Sequence, residues 1–258
     1  MARGVSTVLD VTVCLLLISA AVATLAAVSP ADGGDQSPSA DATAARLATV
    51  TAAVPTADGR LQHDTLAGHL ATAAVENTAQ PTAEYQRNTR NETVAHVDNR
   101  TFVTVVWEPF RNASVSSRFT LGAEPPEHVD VAVTTLTVDM GVRPPERRSS
   151  FTALADALAG AYVDRLFPPE RTRAALVDSR AAPWAISRYR TATTKLGLGI
   201  DVADPITAAN ARRANRILAS ALAARFEQSL RAEYRTPEAA AANVTTDEVR
   251  IVVRRWEP

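Results

Sequence analysis

The first thing this chain is short of is cysteine: Cys14 is its only one, so no intramolecular disulfide can form and the paired-cysteine zinc and redox motifs are excluded. Lysine is equally scarce, with Lys195 standing alone among 27 Lys plus Arg, so the positive charge is almost all arginine. Aromatic residues make up 5% of the 258 residues, and the apolar weight falls instead on alanine and valine, which predicts close helix contacts and modest cores. A net charge of −1 excludes a general nucleic-acid binder. Walker loops, dinucleotide fingerprints, HExxH pairs and nucleophile elbows are all missing from the sequence. No catalytic, cofactor or metal residue is therefore assigned.

What the chain does have is a long apolar opening. Residues 5–28 would make a helix of about 36 Å, against a hydrocarbon core of about 30 Å, and residues 11–28 carry no charge. Asp10 lies five residues into this run, near enough to its start to reach headgroups and to face the positive end of the helix dipole. With Arg3 on the inner side, the positive-inside rule places everything after residue 29 outside the cell. The small residues Ala21, Val22 and Ala23 offer the alternative of a cleaved secretory signal. Val13 before Cys14 is a poor fit to a lipoprotein signal.

The residues Arg-Gly-Val-Ser-Thr-Val from Arg3, followed by a long apolar helix, resemble the start of haloarchaeal type IV pilins and pilin-like proteins. VLDVTVCLLLISAAVATLAAV and the later DTLAGHLATAAVEN are similar to an uncharacterised haloarchaeal family of single-span proteins associated with pilus or secretion ATPase genes. The resemblance implies a short leader, residues 1–4, cut after Gly4 to leave Val5 as the new terminus. It also implies an assembly contact for an acid at the fifth mature position; here Asp10 would be the sixth. The implied partners are the lipid bilayer, other pilin-like subunits and pilus or secretion machinery.

Residues 29–46 mix Pro, Gly, Ser and Asp and read as a flexible linker, with an α+β domain over 47–258. Within that domain, residues 47–54 read as an edge strand stopped by Pro55, and 65–76 as a helix capped by Asp64. β-branched runs at 101–107, 115–121 and 129–138, with alternation at 249–253, predict one small, mostly antiparallel sheet to which the last strand returns. VVWEP at 105–109 and RRWEP at 254–258 end two of these strands alike, with each Trp read as covering a sheet end.

Helices are expected at 151–166, 169–179 and 184–195. The longest should run from Pro205 to about Arg235, with Asp204 as its cap. Charge is uneven: 29–142 holds 7 Arg against 14 acids, while 143–235 holds 16 basic residues against 9 acids. The two segments are expected to pack together or to present solvated faces. His63, His69, His96 and His128 lack ligand spacing, and the acid pairs Glu124 with Glu127 and Asp201 with Asp204 sit in turn-like sequence. Four of the eight asparagines, Asn91, Asn99, Asn112 and Asn243, head glycosylation sequons, which suits an exported domain. The functional expectation is a non-enzymatic, membrane-anchored surface protein. It would be a pilin-like or accessory component of an archaeal type IV pilus or secretion system, with an anchored extracellular binding protein as the alternative.

Overall fold

The structure, a computed structural model, describes residues 39–140, 150–244 and 248–257. The leader with Gly4 and Val5, the apolar run with Asp10 and the first part of the linker lie outside the described residues. Among the described residues no helix is long and apolar enough to cross a membrane. Residues 38–258 form one compact unit of the α+β class, with small antiparallel sheets and several helices.

The first helix, α1 (Ala40–Thr49), falls inside the segment expected to be a linker. Ser39 starts it by accepting a hydrogen bond from the Ala42 amide, and Ala40, Thr43, Ala44 and Leu47 form a buried stripe at three- and four-residue steps. A stripe made of three small residues and one leucine looks, in sequence, like linker composition. The extended stretch expected from 47 consequently begins later, at β1 (Thr51–Pro55), which pairs with β2 (Leu61–Thr65) in a two-stranded antiparallel hairpin. Gly59 turns this hairpin at φ +79°, a conformation that costs glycine nothing.

Next comes α2 (Leu66–Glu76), capped by the Thr65 hydroxyl rather than by Asp64, whose carboxylate accepts from the Thr65 amide instead. Ten of its eleven residues are buried, so it runs through the centre of the unit. A helix not foreseen from the sequence, α3 (Glu84–His96), follows and buries only Tyr85, Thr89 and Thr93.

The main sheet holds β3 (Thr101–Trp107), β4 (Ser117–Leu121), β5 (Val131–Asp139) and β6 (Glu248–Trp256) in the order β4-β3-β6-β5, antiparallel throughout. The returning strand thus lies in the interior of the sheet. Leu121 pairs with Val103 and Val131 with Trp256, so residues 122–130 must cross the same end of β3 and β6 to link the two edge strands. Val103, Val105, Trp107, Val249, Ile251 and Val253 share one face and are fully buried or nearly so. α2 and α1 pack there, with the Thr134 hydroxyl donating to Asp41.

The helical half begins with α4 (Phe151–Leu166), capped by Ser150, and continues with α5 (Pro169–Val177) and α6 (Ala182–Lys195), close to the expected bounds. The expected long helix from Pro205 is two helices, α7 (Ala203–Thr207) and α8 (Ala211–Glu233). Ala209 adopts φ +51° between them, and the Asn210 side chain recaps the chain at the Arg213 amide. Asp201, not Asp204, accepts from the first amide of α7. A short α9 (Pro237–Ala241) completes the helices. α4 and α8 make the most extensive helix pair, and the fully buried Ala159 and Ala214 show how little side chain these contacts need.

Aromatic pairs join the layers. Trp107 at the end of β3 stacks on Tyr162 of α4 at 4.7 Å, Phe110 meets Phe226 of α8 edge-on at 5.5 Å, and Phe167 stacks on Tyr189 of α6 at 4.0 Å. Trp256 is buried as well, so the tryptophans of both Trp-Glu-Pro endings are packed rather than exposed.

Candidate functional site

The strand alternation that buries one face of the main sheet against α1 and α2 leaves a second, outer face that is mixed: Phe102, Thr104 and Trp256 on it are buried, and its other positions reach solvent. On that outer face Arg118, Val106, Arg250 and Thr137 form one row across all four strands, because Val106 pairs with both Arg118 and Arg250, and Arg250 with Thr137. Arg118, Arg250 and Thr137 are exposed, and Val133 keeps 56% of its surface in solvent. Arg254 lies along the face, donating to the Thr104 hydroxyl at 3.5 Å. Among the described residues no carboxylate pairs with Arg118 or Arg250. The exposed part of the face is a basic, half-apolar patch.

A second polar grouping sits where α2 ends. Glu76 meets Arg165 at 3.4 Å and Arg188 at 3.8 Å, and accepts from Gln80 at 3.1 Å. Arg188 also donates to the Leu166 carbonyl and lies over the Phe167 ring, leaving its buried Nε without a partner. Lys195 donates to the carbonyls of Asn77 and Gln80 at 2.9 and 3.2 Å, closing the carbonyl end beyond α2, and partial burial pulls its pKa down. The Glu76 carboxylate is taken up by two guanidiniums and an amide, and the Lys195 ammonium by two carbonyls. The grouping ties α2 to α4 and α6.

His69 is fully buried between the Tyr85 hydroxyl, 2.7 Å from Nδ1, and the Ala52 carbonyl, 3.1 Å from Nε2. The carbonyl must receive Nε2–H, so Nδ1 accepts from tyrosine. His63 and His128 are exposed, and His96 is half-buried at the end of α3. Glu124 and Glu127 lie exposed in the crossing segment. Among the described residues no group of three His, Cys, Asp or Glu is placed to hold a metal ion. An open concavity of about 430 Å³ between the starts of α5 and α8 is lined by Glu170, Arg173 and Arg212. Glu170 pairs with both arginines, at 3.6 and 2.7 Å, which cancels much of the local charge.

The four sequon asparagines are all exposed but lie in different settings. Asn91 is in the body of α3 and Asn99 in the turn before β3. Asn112 is in the loop between β3 and β4, and Asn243 just follows α9. Asn112 adopts φ +56°, accepts nothing strained for that residue type, and donates from Nδ2 to Glu233 at 2.7 Å. The leader junction at Gly4 and Val5 and the assembly residue Asp10 lie outside the described residues.

A buried side-chain amide on an otherwise apolar helix stripe is a further polar feature of the fold. Asn215 of α8 accepts from the Tyr189 hydroxyl at 2.6 Å and donates to the Phe167 carbonyl at 2.7 Å and to Asp164 at 3.1 Å, knitting three helical segments together. It falls on the apolar side of α8 between Ala214 and Leu218, and a polar residue on such a stripe is its cue in the sequence.

No curated protein and no solved structure matches the chain. A family of unknown function, DUF7284, matches residues 9–256, which is nearly the whole length. The chain, with its small antiparallel sheets and its helical half, belongs to that family.

Proposed function

We propose that this protein is a non-enzymatic, membrane-anchored surface protein whose residues 5–28 hold an exported α+β domain in place. Its role is that of a pilin-like or accessory component of an archaeal type IV pilus or related secretion system. The observation that carries this reading is the uncharged run of residues 11–28, separated by five residues from the Arg3-Gly4-Val5 junction. In this reading the bilayer and neighbouring apolar helices are the partners of the run, Asp10 is its one charged contact point, and no nucleic acid is involved. N-terminal mass spectrometry of the native protein tests it. Val5 as first residue supports the pilin-like route, whereas a start between residues 24 and 31 would mean simple secretion and end the anchor. Asp10→Leu should leave insertion intact and alter assembly; unchanged incorporation by that variant would refute a specific role for Asp10.

The outer sheet face favours a second reading, an anchored binding protein with no assembly role. Arg118 and Arg250 flanking Val106, beside the exposed Val133, give a basic patch fit for an acidic partner. Retention of the protein as a monomer in mild detergent would favour this reading over assembly.

A further inference from the structure

The four sequons are equivalent as strings of letters, but the fold does not present them equally. A glycosyl transferase acting on a folded domain must reach two groups: the asparagine amide nitrogen and the hydroxyl two residues later. At Asn91 the two point to different sides of α3, and the Thr93 hydroxyl is fully buried, donating to the Thr89 carbonyl at 2.7 Å. At Asn99 the hydroxyl belongs to Thr101, the first residue of β3, again fully buried and donating to Asp98 at 2.8 Å. At Asn243 the amide nitrogen donates to the Ala239 carbonyl at 2.8 Å, and Thr245 lies outside the described residues.

Asn112 is different. Phe110 and Val115 are buried and pin both sides of the loop, while Asn112 and Ser114 between them are exposed. The Ala113 amide closes the turn onto the Phe110 carbonyl at 3.1 Å, and Glu108 accepts from the Asn112 amide at 2.7 Å, so the tip is held outward in one shape. Among the described residues nothing hydrogen-bonds the Ser114 hydroxyl.

We infer that Asn112 is a glycosylation site of the folded domain and that Asn91 and Asn99 are not. The inference rests on the exported reading above. The donor class is an oligosaccharide linked to a lipid phosphate. Asn112 Nδ2 forms a bond to the anomeric carbon as the bond from that carbon to the phosphate oxygen breaks. The lipid phosphate leaves with the electron pair, and the amide releases one of its two hydrogens as a proton. The hydrogen that remains can keep the contact with Glu233.

Trypsin separates the sites cleanly, since cleavage after arginine gives peptide 91–100 with both Asn91 and Asn99, and peptide 112–118 with Asn112 alone. Mass spectrometry of the native full-length protein should find a glycan on 112–118 in most molecules and none on 91–100. Ser114→Ala, an exposed change, should abolish it, and Ser114→Thr should retain it. A glycan on 91–100 overturns the inference, because modification would then precede folding. An unmodified 112–118 overturns it too, and protease added to intact cells separates the causes. If the domain is cleaved, the choice of Asn112 alone is wrong; if it is protected, the exported reading falls with it.

Discussion

Replacing Asn215 with alanine should be among the most damaging single changes in the helical half. The side chain makes three hydrogen bonds, to the Tyr189 hydroxyl, the Phe167 carbonyl and Asp164, from a position that is 4% exposed. A net loss of about 1 kcal/mol per bond, plus the desolvation of the stranded Tyr189 hydroxyl and Phe167 carbonyl, gives roughly 3–5 kcal/mol; Asp164 recovers part of its share from water. Tyr189→Phe removes one of the three bonds and should cost about 1–2 kcal/mol. In the double variant the tyrosine hydroxyl is no longer stranded, so the two losses should fall short of additive by about 1 kcal/mol. Guanidinium unfolding of the solubilised full-length chain, followed by tryptophan fluorescence, reads this through Trp107, whose ring stacks on Tyr162. A loss below about 1 kcal/mol for Asn215→Ala, with strict additivity in the double variant, would refute the hub.

Other outcomes follow from the same structure. Gly122→Ala places a Cβ about 2 Å from the Thr101 carbonyl oxygen in a backbone at φ +86°, so it should lower the unfolding midpoint by an amount matching about 3 kcal/mol; a variant as stable as wild type would show that β4 ends differently. Burial holds the hydroxyls of Tyr85, Tyr162 and Tyr189 above the usual phenol range. The folded state therefore keeps protons that the unfolded chain releases, and this stabilisation, complete below about pH 10, is lost as pH rises beyond it. Phenolate absorbance should appear together with loss of circular dichroism, and full ionisation of a chain still native by circular dichroism would contradict the burial. Arg118→Glu combined with Arg250→Glu should change stability by less than about 0.5 kcal/mol per site, as for exposed residues; a loss above about 2 kcal/mol would mean that something covers the outer face.

The strands were the most legible part of the sequence. TFVTVVW matches β3 residue for residue because β-branched and aromatic side chains in an interior strand leave little ambiguity, and Val249, Ile251 and Val253 betray β6 by alternation. α4 was equally plain, since Ser150 caps a regular Leu and Tyr stripe. Helices that bury small or polar side chains escaped notice. α1 packs through Ala40, Thr43 and Ala44, and α3 through Tyr85, Thr89 and Thr93, a four-residue step hidden among charged neighbours. The break at Ala209 carries no proline or glycine to announce it; Asn210, a good cap, was the only cue. Of the candidate sites, the sequons were visible as letters, but their accessibility depends on which way Thr93, Thr101 and Ser114 face. The outer arginine row could not be read from either strand alone, because it exists only once Arg118 and Arg250 are brought to the same pleat through Val106.

The position of β6 also governs the order in which the molecule can be completed. β3 and β4 can zip as a hairpin on their own, but among the described residues β6 is the only strand that pairs with β5. Until residues 248–256 have been synthesised, the nine residues of β5 have an unfilled ladder, and the hydrophobic layer under Ile251 and Val253 stays open. Shortened translation products lacking this strand would be sticky, protease-sensitive intermediates rather than smaller working proteins.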